Sequence, residues 1–129
     1  MDRFKFRVWV DGTMCDPFSF EDIYNAAFAE LKPSQVFEKY TFMQCTGLKD
    51  KNGKLIFEGD IIEHRYKFFE TQPEIVSRLE VLWEDEYSAF SGFNNNKIRF
   101  SIGPGMRFLR DFEIIGNIYE NPELLEEGK

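Results

Sequence analysis

The sequence predicts a mainly β fold: a small, strongly bent, β-barrel-like domain with a helix inserted near the N-terminus and a short C-terminal helical turn. Three observations support this prediction. Aromatic residues make up 17% of the chain, and their flat rings pack well on pleated strands. Apolar and polar residues alternate in several segments, as they do in strands with one buried face. Turn-forming residues separate these segments at short intervals, which is typical of small barrels.

A single domain over residues 1–129 is the expected organisation. A chain of 129 residues can form one hydrophobic core and is too short for a large multidomain enzyme. No internal repeat or linker divides the sequence. The predicted helix falls within the first 35 residues, so that stretch could form a small N-terminal lobe beside the β-rich remainder.

The first strand and the helix are predicted near the N-terminus. Apolar residues alternate with Lys5, Arg7 and Trp9, which predicts a strand with one buried face before a turn at Asp11–Gly12. Helical spacing follows over residues 20–31. The apolar positions of that helix are Phe20, Ile23, Tyr24, Ala27, Phe28 and Leu31.

A hairpin is predicted in the middle of the chain. Aromatic and apolar residues favour a strand over residues 37–43, and Asn52–Gly53 is a strong hairpin signal because both residue types tolerate positive φ. The return strand should start at Leu55. Glu58–Gly59–Asp60 then interrupts the pattern, and its glycine permits the chain to bend into a new strand over residues 61–68.

Three more strands and the helical turn complete the expected fold. The first two strands are predicted from alternating apolar positions, and the third covers residues 112–119. Asn121–Pro122 suits the N-cap and first position of a short helix. The alternating positions are Leu79, Val81 and Trp83 in one strand and Ile98, Phe100 and Ile102 in the other.

Three blocks of the sequence carry a family resemblance: Lys5–Trp9, Phe42–Ile62 and Glu113–Leu125. In these blocks the chain resembles the YopX family, a group of proteins encoded in phages and prophages of bacteria. The resemblance implies a β-barrel-type fold and a phage or prophage origin, and it implies no catalytic reaction. Segments 20–31 and 63–111 carry little of the family pattern, so a function specific to this protein could lie there.

The motif residues within these blocks are interpreted as structural. Glycines and asparagines suit turns, and carboxylates beside turns commonly accept hydrogen bonds from nearby backbone N–H groups. Asp60, directly after a glycine, is the strongest structural candidate. The set is Thr46, Gly47, Asn52, Gly53, Glu58, Gly59, Asp60, Gly116, Asn117, Tyr119 and Pro122.

Charge and hydropathy restrict the partners and the compartment. The chain has 16 basic and 23 acidic residues, and its formal net charge of -7 disfavours attraction to phosphate backbones. Nucleic acid is therefore not an expected partner, although Lys97 and Arg99, with Arg107 and Arg110, leave a local basic patch open. No signal peptide pattern or membrane-spanning apolar run is present. We expect the protein in the cytoplasm of the bacterial host, without membrane association.

Candidate chemistry is sparse, and no catalytic residue, metal site or cofactor is predicted. His64 is the sole histidine, and alternation places it on an apolar strand face, where a partly buried structural role is expected. Cys15 and Cys45 are interpreted as free thiols because they form no CxxC pair.

One acidic cluster keeps an enzymatic alternative open. Glu58, Asp60 and Glu63 surround Gly59, and converging carboxylates can hold a hard cation such as magnesium. A metal-dependent enzyme acting on nucleic acid or nucleotides is therefore the alternative hypothesis. Their spacing matches no calcium-loop signature, and hydrogen bonding to the turn is the plainer interpretation.

The favoured hypothesis is a binding or accessory module that self-associates as a homo-oligomer and contacts a host or phage protein. The aromatic content supplies enough apolar surface for such an interface. Trp9 is a candidate contact because it lies on the otherwise charged face of the first strand. Glu84, Asp85 and Glu86 form an acidic run at a strand end, which suits a basic partner or is simply a solvated loop. Mimicry of nucleic acid by the acidic surface is a third possibility.

Overall fold

The computed structural model describes residues 5–15, 17–19, 41–102 and 112–127. Within these ranges the protein is mainly β, with a strongly curled, half-barrel sheet and one short helix, α1 (Glu123–Glu127). The prediction of a mainly β, strongly bent fold is confirmed at this level. The helix predicted over residues 20–31 lies outside the described ranges. No helix within those ranges is long and apolar enough to cross a membrane.

The N-terminal strands form an antiparallel five-stranded sheet. Strand β1 pairs with β4 on one side and with the short strands β2 and β3 on the other, and β5 pairs with β4. This sheet therefore joins the first residues of the chain to the central hairpin. Its strands are β1 (Lys5–Val10), β2 (Thr13–Met14), β3 (Phe18–Ser19), β4 (Thr41–Lys49) and β5 (Leu55–Phe57).

The second sheet contains the remaining strands in the order β10-β6-β7-β8-β9, again antiparallel. The C-terminal strand β10 lies at one edge beside β6, so the first and last strands of this sheet in the sequence are neighbours. The strands are β6 (Asp60–Tyr66), β7 (Ile75–Glu84), β8 (Ala89–Phe93), β9 (Arg99–Ser101) and β10 (Glu113–Asn117).

The hydrophobic core is built mainly on one face of the second sheet. Leu79 and Val81 are buried there, as their alternation predicts, whereas Trp83 is 42% exposed because it lies near the end of β7. Burying side chains of this size contributes about 1.5–3 kcal/mol each. The core cluster consists of Ile56, Ile62, Leu79, Val81, Ile102 and Phe112.

Strand β1 differs from its prediction, because both of its faces are covered. Val8 is buried as expected, but the Arg7 side chain on the opposite face is only 12% exposed. A charge is tolerated at this depth because Arg7 pairs with a buried carboxylate, Asp60. The alternation of the sequence does not reveal this second covered face.

The central hairpin forms where predicted, and β5 begins at Leu55. Of the Asn52–Gly53 pair, only Gly53 has positive φ, at 80°. The loop is held instead by the buried carboxylate of Asp50. Its Oδ1 accepts hydrogen bonds from the backbone N–H groups of Asn52 and Lys54, each at 2.9 Å. Oδ2 accepts a third from Ile114 N at 3.0 Å, which ties the hairpin to β10.

Several element boundaries also differ from the sequence prediction. Strand β4 continues to Lys49, well beyond the predicted end at residue 43, because a bulge between Cys45 and Lys49 lets it bend without stopping. Gly47 adopts a φ of 80° there. The helix α1 begins directly after Asn121–Pro122, in agreement with the predicted cap.

Candidate functional site

A turn at Glu58–Gly59 connects the two sheets. Glu58 N donates to Gln44 O of β4 at 2.9 Å, and Gly59 N donates to Val81 O of β7 at 2.7 Å. The Gly59 carbonyl accepts from Ile118 N at 2.9 Å. We call the turn and the side chains packed around it the Gly59 junction; its members are Arg7, Trp9, Glu58, Gly59, Asp60 and Tyr119. The three blocks of family resemblance meet at this junction.

Asp60 is the buried charge of the junction, with 1% of its surface exposed. One carboxylate oxygen accepts from Phe57 N at 2.7 Å, and the other lies 2.8 Å from Arg7 Nη1. The Arg7 guanidinium also lies over the Phe57 ring, 4.9 Å from its centroid. Burial raises the pKa of Asp60 above its ordinary value, and Arg7 and the Phe57 N–H only partly oppose that rise. Asp60 therefore faces protein on all sides and offers no surface to a substrate.

Trp9 and Tyr119 form an aromatic stack on the junction. Their ring centroids are 5.6 Å apart with 26° between the planes, and both side chains are half-buried. Burial raises the pKa of Tyr119, and the negative charges of Glu58 and Glu80 raise it further. Trp9, a candidate contact for a partner, thus has an intramolecular partner in the folded chain.

Glu80 lies half-buried on β7, opposite Ile61 of β6 and Phe93 of β8. Desolvation raises the pKa of Glu80 above its ordinary value of 4.5, and Lys97 opposes this rise only in part. A carboxyl whose pKa is raised by folding stabilises the fold below its unfolded pKa, and this contribution is lost as the pH rises through the folded pKa. Ionised Glu80 therefore destabilises the folded state at neutral pH.

We expect Glu80→Gln to raise the melting temperature at pH 7 by about 2–4 °C, the shift that roughly 0.5–1 kcal/mol produces in a domain of this size. At pH 4 the gain should disappear, because Glu80 is then mostly protonated in both states. Glu86→Gln is the matched control, since it removes one negative charge from an exposed turn. Equal gains for the two variants at pH 7 would mean that net charge, rather than burial of Glu80, sets the effect.

The other motif residues make local contacts that shape turns and bends. The Thr46 hydroxyl donates to Ile56 O at 2.8 Å and accepts from Leu48 N at 3.0 Å. Asn117 Oδ1 accepts from Tyr119 N and Glu120 N, which closes the turn that leads to Pro122 and α1. Gly116 leaves room for Asn121, since a Cβ there would be 2.6 Å from Asn121 Oδ1.

The acidic cluster of the enzymatic hypothesis is divided among separate partners. Asp60 pairs with Arg7, whereas Glu63 lies 2.7 Å from both Arg65 Nε and Arg78 Nε. Desolvation raises the pKa of Glu63, but the hydrogen bonds from the two arginines outweigh it and hold the pKa below its ordinary value. Within the described ranges, no group of three His, Cys, Asp or Glu side chains is placed to hold a metal ion.

His64 lies in an aromatic wall. Its ring stacks on Tyr66 at 5.0 Å and contacts Phe112 at 5.1 Å. These three rings line an open pocket with a volume of about 300 Å³, and Phe100 on β9 supplies a fourth ring. The remaining lining residues in the described ranges are Ser77 and Leu79. The alternation of the sequence places His64 on this apolar face but does not reveal the pocket, because its walls come from distant strands.

The acidic run at the end of β7 is partly engaged within the fold. Glu84 forms an ion pair with Arg99, whose guanidinium lies 4.2 Å from the centroid of the exposed Tyr87 ring. Asp85 accepts a hydrogen bond from Trp83 Nε1 at 2.7 Å. Glu86 is exposed in the same turn. Arg99, one member of the predicted basic patch, is thus paired with a carboxylate; Arg107 and Arg110 lie outside the described ranges.

Comparison with known proteins places the chain in a family. No curated protein matches it. Among solved structures, it is similar to the crystal structure of protein EF1440 from Enterococcus faecalis, with 28% sequence identity and a TM-score of 0.45. That similarity covers 93% of this chain and 74% of the other. The family model described as YopX protein matches residues 5–126, nearly the whole sequence. The chain therefore belongs to the YopX family.

Proposed function

We propose that this protein is a non-enzymatic binding or accessory module that self-associates. The observation that carries the proposal is exposed apolar surface. Seven large hydrophobic side chains in the described ranges are each more than a third exposed. Large exposed apolar patches on soluble proteins mark interaction sites. The seven are Phe68, Phe69, Ile75, Trp83, Tyr87, Ile98 and Phe100.

Three of these side chains lie at the pocket or beside one of its lining residues. Phe68 packs against Tyr66, Ile75 pairs across the strands with Tyr66, and Phe100 lines the pocket itself. Ile98 lies two residues before Phe100, directly before β9 begins at Arg99. We call this group of Phe68, Phe69, Ile75, Ile98 and Phe100 the apolar surface. Its rings supply the rigid contact area that protein interfaces favour.

The ionisable side chains support a binding role over a catalytic one. Acid–base catalysis needs a titratable group within reach of a substrate. Asp60 is buried against Arg7, Glu63 is held between two arginines, and the His64 ring packs in the aromatic wall. These groups, the best candidates for chemistry in the sequence, serve internal contacts.

The setting of the proposed function follows from the family resemblance, which implies a phage or prophage origin. We accordingly propose that the protein acts in the cytoplasm of the bacterial host, on a host or phage protein. The turn carrying Glu84, Asp85 and Glu86 is the proposed contact for a basic region of such a partner, because Asp85 and Glu86 are exposed there. Trp9 remains a second candidate contact, although its truncation should also weaken the stack on Tyr119.

The mass of the purified chain in solution tests self-association. We expect light scattering between about 1 and 100 µM protein to give a multiple of 15.3 kDa. Raising the salt from 0.1 to 1 M should leave the mass unchanged or increase it, because apolar contacts do not weaken with ionic strength. Affinity purification from the bacterial host at low salt should then recover a host or phage protein.

A mass of 15.3 kDa at every concentration would contradict self-association. An assembly that dissociates in high salt would point to charged contacts rather than to the apolar surface. Cleavage of DNA or RNA that requires magnesium would contradict the non-enzymatic part of the proposal.

A further inference from the structure

The pocket beside the loop between β6 and β7 is lined mainly by aromatic rings. The pocket is walled by the rings of His64, Tyr66, Phe100 and Phe112 and has a volume of about 300 Å³. Aromatic walls of this kind accept another ring in stacked or edge-to-face contact. The lining also includes the Ser77 hydroxyl and the Leu79 side chain, so the pocket is mainly apolar and carries no side chain with a permanent charge among its described residues.

The loop between β6 and β7 presents two adjacent aromatic residues to solvent. Phe68 is 70% exposed and Phe69 67% exposed, the highest values among the large hydrophobic residues of the described ranges. Phe68 touches the rim of the pocket, since its ring makes an edge contact with Tyr66 at 5.5 Å. Phe69 is the next residue in the same loop. The chain therefore carries an exposed ring one residue along the loop from Phe68, whose own ring contacts a side chain of the pocket wall.

From this juxtaposition we infer that two copies of the chain pair by exchanging Phe69, each copy inserting the ring into the pocket of the other. The inference rests on the proposed self-association and names its surface. A twofold axis that relates the two copies makes the two insertions equivalent, so both form at once and the contact closes as a dimer.

The surface available suits a weak dimer. A Phe side chain buries about 150 Å² in all, and Phe68 and Phe69 are each about two-thirds exposed, so each has about 100 Å² left to bury. Phe68 and Phe69 of both copies then remove about 400 Å², and the surfaces that cover them lose a similar area. The total of about 800 Å² lies below the range of stable interfaces and predicts a dimer that dissociates on dilution.

Truncation of the inserted ring is the first test. We expect Phe69→Ala to raise the dimer dissociation constant at least about 100-fold in sedimentation velocity, because a large aromatic anchor is lost twice in a symmetric dimer. Residue 69 lies in an exposed loop, so the variant should keep the wild-type circular dichroism spectrum. Tyr87→Ala is the matched control: it removes an exposed ring in the turn after β7, outside the apolar surface. It should leave the dissociation constant unchanged.

Filling the pocket provides the reciprocal test. Ser77 is partly exposed on the pocket wall, and Ser77→Trp should block entry of the ring and give a monomer. A mixture of F69A and S77W should then form a heterodimer, since one copy supplies the pocket and the other the ring. Its affinity should lie between those of the wild-type dimer and either variant alone, because one of the two insertions is restored.

The outcomes separate this inference from the broader proposal. A wild-type chain that stays monomeric at 100 µM contradicts both. A wild-type oligomer that F69A leaves intact, or that Y87A disrupts instead, overturns the exchange of Phe69 while self-association stands. If S77W fails to fold, the F69A and Y87A pair alone decides.

Discussion

Replacing Asp60 with Ala should lower the free energy of unfolding by about 3 kcal/mol and the melting temperature by about 10 °C. The change leaves the Arg7 guanidinium without its ion-pair partner at a position where only 12% of that side chain is exposed. It also removes the acceptor for Phe57 N, whose hydrogen bond to Asp60 is 2.7 Å long. An unpaired buried donor costs about 1–3 kcal/mol, and a charged one costs more.

Asp60→Asn should cost about half as much. The amide oxygen can still accept from Phe57 N, and burial favours an uncharged side chain here, as the raised pKa of Asp60 indicates. The amide NH2 then faces Arg7, so the remaining loss is that of the ion pair. Asp85→Ala is the control, because it removes a carboxylate from an exposed turn and should change stability by no more than about 0.5 kcal/mol.

A double-mutant cycle isolates the contribution of the pair. We expect Arg7→Met and Asp60→Ala together to cost about 1–2 kcal/mol less than the sum of the two single changes, because the double variant leaves no unpaired charge. Urea unfolding of the four proteins measures these differences. Losses that add within about 0.5 kcal/mol would show that Arg7 and Asp60 act independently.

Local patterns in the sequence are enough to predict most strands. The alternation around Leu79 and Val81 locates β7, and the turn signal at Gly53 locates the return of the hairpin at Leu55. Such patterns repeat over two to four residues and reflect which face of a strand is buried. They say little about strand ends, which depend on bulges such as the one between Cys45 and Lys49.

The contacts that define the candidate sites cannot be predicted in the same way. The side chain of Asp50 bonds to Ile114 N, 64 residues away, and the Arg7–Asp60 pair joins two different sheets. A single sequence carries no signal for such pairings, so its alternation assigns Arg7 to an outward, charged face. The pocket escapes prediction for the same reason, because Tyr66, Phe100 and Phe112 come from separate strand regions.

Gly59→Ala should lower the free energy of unfolding by about 2–3 kcal/mol, for two separable reasons. Gly59 has a φ of 88°, a left-handed conformation that costs other residues about 1–2 kcal/mol. A Cβ at this position would also lie 3.3 Å from Tyr119 Cε2 and 3.5 Å from Met43 Sδ, so the Tyr119 ring must shift. Because Tyr119 stacks on Trp9, that shift should appear as a change in Trp9 fluorescence.

Gly53→Ala separates the two causes, because Gly53 has a similar φ of 80° and no atom lies within 4 Å of the position that a Cβ would take there. This variant should lower the free energy of unfolding only by the conformational part, about 1 kcal/mol, and leave Trp9 fluorescence unchanged. Measuring fluorescence in a Trp83→Phe background removes the signal of the second tryptophan. Equal losses for the two alanine variants would mean that Tyr119 yields at no cost. The backbone conformation of the turn alone would then set the loss at Gly59.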